Sequence, residues 1–394
     1  MTKVLICNAG STSLKFKLFE MPRETVLAAA VMERIGGRNG GRYKFEAGEE
    51  VLDIPDQRIG TYVEGIHLFL ESLAKSGILT DLNDLAAVGF KTVAARGFYG
   101  THVIDEQVIQ GMKDYLTIAP AHNQHYLNVI GAFREILPDV PLIGAFETEF
   151  HQTIPPEAYV YSVPYEWYEQ YQVRRLGYHG ASHSYVAGVL TSILGDHYHA
   201  VCCHLGGSGS ICAVKDGKSV DTSFGMSLQA GIPQSNRCGD LDPYIPLYLI
   251  RNCGLSPQEV ETRLTSDSGF LGLTGADKDL RDILAKQEQG DPRAKLAVDI
   301  FIHDTVKYIA GFAGILGGLD AITFAGGIGE NSTYIRNRVL TQLAFLGIEL
   351  SASEQAEETY RVLTTPESRI AVYVIPTNEE LVVARKAWQA LSAE

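Results

Sequence analysis

Two stretches of this chain carry the residue types that hold phosphate. Asn8-Ala9-Gly10-Ser11-Thr12-Ser13 lies between an apolar run at 4–7 and the alternating Leu14-Lys15-Phe16-Lys17-Leu18-Phe19. Leu205-Gly206-Gly207-Ser208-Gly209-Ser210 lies in the same way between 200–204 and 211–214. Each reads as strand, Gly/Ser turn, strand. Residues without bulky side chains let backbone N–H groups approach an anion and cradle it. Two such turns point to a duplicated fold that grips a phosphate chain between its halves, and so to phosphoryl transfer. That chemistry needs backbone donors, a carboxylate for a metal ion, and cations for the charge spreading over the transferring group. All three types end strand-like runs here, where ligands bind in open α/β sheets. The groups are Asn8, Ser11, Ser13 and Lys15, then Glu147, His179, His204 with the glycines after it, 326–331, and Glu379.

One apparent phosphate motif fails. Gly217-Lys218-Ser219 would need a glycine five residues earlier for a P-loop, and that position is Cys212. Asp216-Gly217 between apolar runs is instead a hairpin turn.

The elements that must position these groups alternate strand with helix. Helical spacing predicts a helix at 63–75, stopped by Ser76-Gly77, and others at 126–137, from Ser182-His183 to 194, and at 296–316. Strands are expected at 85–93, 142–146, 321–324 and 370–375, with further strand and turn after the Gly- and Arg-rich 36–42. The Gly-rich segment at 325–331 is expected as a turn before a helix from about 332, a third anion or nucleotide site. The fold class is α/β with two domains.

Composition bounds the rest. The 394 residues are long enough for two domains, and 45% hydrophobic with 20% charged residues is the balance of a globular protein. A net charge of −14 excludes a nucleic-acid footprint and leaves an anionic substrate to be drawn by a local cluster of cations. The six cysteines show no zinc-like spacing and read as reduced thiols of a cytoplasmic protein. No signal peptide is expected, and the apolar 309–329 is broken by Gly317-Gly318 and Asp320, so no membrane span is expected.

The chain resembles the acetate kinase family, the acyl-phosphate-forming branch of the actin, heat-shock chaperone and sugar-kinase superfamily. The resemblance runs over nearly the whole length. Its carriers include Asn8 to Lys15, Phe150-His151-Gln152-Thr153-Ile154-Pro155, 174–183, Asp221-Thr222-Ser223, Arg237-Cys238-Gly239-Asp240-Leu241-Asp242-Pro243, 326–331 and 376–380. It implies a duplicated actin-like (ribonuclease H-like) fold whose two domains flank a cleft. The first domain would be 1–150 with about 370–394, on the substrate and metal side, and the second 151–369, on the nucleotide side. It implies reversible transfer from ATP to a short-chain carboxylate, acetate or a close homologue, giving ADP and an acyl phosphate. It also implies Mg²⁺ (or Mn²⁺) and a homodimer. By matching positions, Asn8 and Glu379 would hold the metal, Lys15 a nucleotide phosphate, and His179 and Arg237 the transferring group. His122 would be a further active-site histidine. His204, Leu205, Gly206, Gly207 and Ser208, with Asp279, Leu280 and Arg281 and with Gly327, Ile328, Gly329, Glu330 and Asn331, would line the nucleotide.

The departures from the family fall at contact positions. Its catalytic Asp is Glu147 here, and its His-Arg pair, whose Arg grips the substrate carboxylate, is Phe90-Lys91. Lys91 keeps the charge and loses the bidentate fork. The family's His-Gly-Gly is Ala94-Ala95-Arg96, which offers Arg96 as a replacement guanidinium. Its Asn-Gly is Gly207-Ser208, and its Met-Gly-Thr-Arg is Gln234-Ser235-Asn236-Arg237. These changes leave open a different phosphoryl donor such as pyrophosphate, or a nucleotide-binding protein with little turnover.

Overall fold

The structure, a computed structural model, describes residues 2–37 and 40–392. Residues 38–39 of the expected Gly- and Arg-rich stretch, and the termini of the expected first domain at 1 and 393–394, lie outside the described residues. The chain divides into two compact units, Met1–Glu149 with Asn378–Glu394, and Phe150–Thr377.

The first unit is built on an eight-stranded sheet in the order β5-β4-β3-β2-β1-β6-β8-β7. Its strands are β1 Thr2–Gly10, β2 Ser13–Met21, β3 Thr25–Glu33, β4 Gly41–Ala47, β5 Glu50–Gln57, β6 Leu85–Thr92, β7 Thr101–Val103 and β8 Leu142–Phe146. The second unit has seven strands, β9 His199–His204, β10 Ser210–Lys215, β11 Lys218–Thr222, β12 Ala321–Ala325, β13 Leu350–Ala356, β14 Arg361–Thr364 and β15 Ala371–Val374. Their order is β11-β10-β9-β12-β15-β14-β13.

The duplication suggested by the paired turns is visible in this order. In each unit an antiparallel meander (β1-β2-β3, β9-β10-β11) is joined along its first strand to a parallel pair (β6 and β8, β12 and β15). Helices cover both faces of each sheet. In the first unit Phe16 stacks on Phe69 of helix Tyr62–Lys75 with ring centroids 4.5 Å apart, and Phe90 meets Phe133 of helix Pro120–Ile136 edge-on. On the other face Val4, Ile6, Ala87 and Ile143 pack on Val383, Ala384 and Ala387 of helix Glu379–Ser392. In the second unit, adjacent cysteines show the strand period of two. Cys202 faces Val186 and Leu190 of helix Gly180–Leu194, while Cys203 faces Val298 and Phe301 of helix Pro292–Leu316. All six cysteines are free thiols.

Several boundaries differ from expectation, each for an identifiable reason. The helix expected at 126–137 starts at Pro120, because proline at the first helical position has no N–H to leave unpaired. Asp291 caps the helix expected from 296 through the N–H groups of Arg293 and Ala294, with Pro292 next. The chain returns to the first unit at Asn378, later than about 370, because β15 pairs with β12 and β14 of the second sheet. Among the described residues no helix is long and apolar enough to cross a membrane.

Candidate active site

In the first unit the carboxyl ends of three neighbouring strands deliver the polar groups. Asn8 lies near the end of β1 and Lys91 near the end of β6, and Glu147 follows β8, its N–H donating to Thr92 O at 2.9 Å. Helix Glu379–Ser392, held by its apolar face against the sheet, starts with Glu379 at the same edge. Lys91 Nζ lies 2.5 Å from Glu379 Oε2, with both side chains about one-fifth exposed (21% and 17%). Burial alone pulls the Lys91 ammonium down; the charges of Glu147 and Glu379 outweigh it and push the group above the ordinary lysine range. Tyr126 donates its hydroxyl to Asn8 Oδ1 at 3.0 Å, and burial raises its own pKa. His122 is half-buried one helical turn before Tyr126. Lys15 is exposed on β2, directly opposite Asn8 in the β1–β2 register. Arg96 is exposed on the loop after β6.

In the second unit a cavity of about 940 Å³ is lined by residues from four sequence regions. They are Gly206, Gly207 and Ser208, then Ser235, Asn236 and Arg237, then Asp279, Leu280 and Arg281 with Lys278 and Leu284, and finally Gly327, Ile328, Asn331 and Ser332. Arg237 is aimed by two of the departures from the family pattern. Its Nη1 donates to Gln234 Oε1 at 3.1 Å and to Ser208 Oγ at 3.3 Å, while Ser208 Oγ donates to Gln234 Oε1 at 2.7 Å. Burial lowers the Arg237 pKa.

Other expected nucleotide residues have local tasks. Asp279 caps helix Leu280–Glu288 through the Arg281 N–H and forks onto the Arg281 guanidinium, which drops its pKa to about 2. The segment expected as a Gly-rich turn is a short helix, Gly326–Asn331. Its amides are largely spent: Gly326 N donates to Glu330 Oε1, and Ile328 and Gly329 donate to Leu205 O. Gly326 has φ +75°, and a Cβ there would lie 2.7 Å from Leu205 O, so this close approach requires glycine. Leu205, Gly329 and Glu330 do not line the cavity, and the Leu205 side chain is in the core.

His179 sits in the left-handed region (φ 57°) at the start of helix Gly180–Leu194, its ring 4.3 Å from that of His204 and 5.2 Å from Phe224. Its Nδ1 is 2.9 Å from Ser210 Oγ. His204 Nδ1 is 2.7 Å from Ser182 Oγ. His151, from the Phe150–Pro155 motif, lies beneath this segment and accounts for that motif structurally. Its Nε2–H donates to Tyr178 O at 2.8 Å, which leaves Nδ1 to accept from Ser219 at 2.9 Å. Burial pushes His151 down to about 4, so the ring is neutral. Gly177 (φ +73°) passes so close that a Cβ would fall 2.5 Å from the His151 ring.

A family model described as the acetokinase family matches residues 3–385. The chain belongs to that family. Its members include an acetate kinase of Bacillus cytotoxicus, 41% identical over 98% of this chain and 98% of that protein. An acetate kinase of Clostridium botulinum is 39% identical over 97% and 98%. Among solved structures, a propionate kinase from Francisella tularensis superposes with a TM-score of 0.87 at 32% identity, covering 98% of this chain and 99% of that one. Porphyromonas gingivalis acetate kinase superposes at 0.84, also 32% identical, covering 99% and 100%. The acetokinase family consists of phosphotransferases that take a carboxyl group as acceptor.

Acetokinase membership implies nucleotide and, typically, Mg²⁺. Among the described residues no cluster of three or more His, Cys, Asp or Glu forms a metal cage. The oxygen donors of Asn8, Glu379 and Glu147 are of the kind a magnesium ion takes, which binds through one or two carboxylates and draws its remaining ligands from water and phosphate.

Proposed function

We propose that this chain moves a phosphoryl group reversibly between ATP and a short-chain carboxylate, acetate or a close homologue. The observation that carries the reading is the cavity of about 940 Å³, where a glycine-rich loop and the Arg237 guanidinium share one space of nucleotide size. That volume also favours a nucleotide over pyrophosphate as the donor.

The residues support a direct transfer. A carboxylate is ionised at neutral pH, so its attack on phosphorus needs no strong base. Glu147 therefore orients groups and does not remove a proton. Lys91 and His122 hold the acceptor, which shares the Lys91 ammonium with Glu379. Arg237 and His179 donate to the equatorial oxygens of the transferring group, and Lys15 to a nucleotide phosphate. Asn8 and Glu379 would hold Mg²⁺, which when bound neutralises phosphate charge. The exposed side chains of Tyr244, Ile245, Leu247 and Tyr248, on helix Tyr244–Asn252, support a homodimer, and six cysteines without a disulfide suit a cytoplasmic setting.

The test is acyl hydroxamate formation with formate, acetate, propionate and butyrate against ATP, GTP and pyrophosphate. The expected result is turnover with ATP and acetate or propionate. ATP binding without acyl phosphate from any of these acids would replace the reading with that of a nucleotide-binding protein.

A further inference from the structure

Ser210 and His183 are two polar side chains that the transfer itself does not use, and they are among the most buried in the second unit, at 0% and 1% exposure. Ser210 opens β10, directly opposite His204 in register, and His183 lies one turn into the helix that His179 begins. The Ser210 hydroxyl stands between two imidazoles: Oγ is 2.9 Å from His179 Nδ1 and 2.8 Å from His183 Nε2.

A hydroxyl has one proton. With a ring nitrogen at hydrogen-bond distance on each side, its proton goes to at most one ring, while its two lone pairs accept from either ring or from both. Burial holds His183 neutral, so that ring has a single N–H to offer. When both rings are neutral, two arrangements remain. In one, His183 Nε2–H donates to Ser210, Ser210 donates to His179 Nδ1, and the His179 proton is on Nε2. In the other His179 Nδ1–H donates to Ser210, whichever way His183 is turned, and Nε2 of His179 carries a bare lone pair. A lone pair aimed at an anionic phosphoryl oxygen repels it, whereas an Nε2–H donates to it.

We propose that Ser210 and His183 are positioning residues that direct a hydrogen-bond chain into His179 Nδ1 and so keep the proton on His179 Nε2. The functional half of this statement rests on the reading of His179 as a phosphoryl donor. The backbone beneath is fixed separately, because His151 donates to Tyr178 O one residue before His179. Ring direction and backbone position thus have different supports.

The test combines nitrogen-15 resonance of histidine-labelled full-length protein with kinetics. The wild-type His179 signal should be that of an Nε2–H tautomer whose Nδ1 accepts a hydrogen bond. Ser210→Ala should shift the Nδ1 signal and lower kcat about 10–100-fold, the range for partners that orient an active histidine, with the KM for ATP little changed. Ser210→Thr keeps the hydroxyl and should restore most of both. A wild-type proton on Nδ1, or a Ser210→Ala protein with unaltered His179 signals, overturns the proposal. If Ser210→Ala does not fold, the wild-type and Ser210→Thr spectra still decide the tautomer. Normal turnover in His179→Ala would remove the phosphoryl reading on its own, and the resonance result decides the tautomer independently of it.

Discussion

The two units surround their polar groups with different chemistry. In the first, charge is met by charge: Lys91 lies against Glu379 and within the field of Glu147. In the second, neutral groups set direction. Ser210 joins His179 to His183, Ser182 holds His204, and Gln234 with Ser208 aims Arg237, whose guanidinium has no carboxylate among those hydrogen-bond partners. Under the proposed roles the contrast has a physical reason. A site that receives a cation and a carboxylate gains from keeping opposite charges close, while a site that receives phosphate must keep its cation uncompensated. A carboxylate beside Arg237 would cancel the charge the phosphoryl group needs.

The largest expected effect is at Arg237. Arg237→Ala should lower kcat about 10³-fold, as loss of a phosphoryl-clamping arginine does, while the KM for ATP rises only a few-fold. Steady-state kinetics decide it, and a variant with near-normal turnover removes Arg237 from the reaction. The next break is aimed at stability. His151 is held near 4 against about 6.5 in the unfolded chain. Between these values the unfolded chain binds more protons, so stability rises with pH and is lost as pH falls through the window. Moving from pH 7 to pH 5 should cost about 2 kcal/mol at this one residue. Denaturant unfolding at both pH values should show His151→Gln losing correspondingly less than the wild type, and equal losses would contradict a buried neutral ring.

A smaller effect sharpens the first-unit half of the contrast. Lys91→Met removes a cation from beside two carboxylates and should tighten Mn²⁺ binding to the nucleotide-free protein about tenfold, or about 1.4 kcal/mol. Paramagnetic resonance titration reads this directly, and unchanged affinity means that the ammonium does not compete for those oxygens. The smallest effect separates a cap from a ligand. Glu330→Ala should cost about 1 kcal/mol of stability through the freed Gly326 N–H and leave the KM for ATP within about twofold. A large rise in that KM would return Glu330 to the nucleotide.

Local pattern made the duplicated meanders legible, because strand period and Gly/Ser turns are written in short stretches. Asp216 and Gly217, both at positive φ, form the expected hairpin turn and not a P-loop. Position-by-position resemblance carried Gly206, Gly207, Ser208 and Arg237 into one cavity. What stayed hidden depends on convergence. Lys91 and Glu379 are 288 residues apart, and nothing near either announces the other. Ser210 and His183 read as a turn residue and a helix residue until folding sets both beside His179. The Gly326–Asn331 helix was masked by its composition, since glycine signals a turn unless a distant carbonyl, here Leu205 O, takes up its amides. Asp291 and Pro120 were readable start signals, outweighed by apolar periodicity that begins later.

The path of the chain also bears on how the protein is made. The helix that covers Val4, Ile6, Ala87 and Ile143, and that carries Glu379, is synthesised only after the whole of Phe150–Thr377. At roughly 5–20 residues per second, a ribosome leaves that sheet face bare for tens of seconds. The nascent chain therefore passes through an interval in which a finished-looking sheet is sticky and chemically inert, and a chaperone that shields apolar strands would act on this half of the protein first.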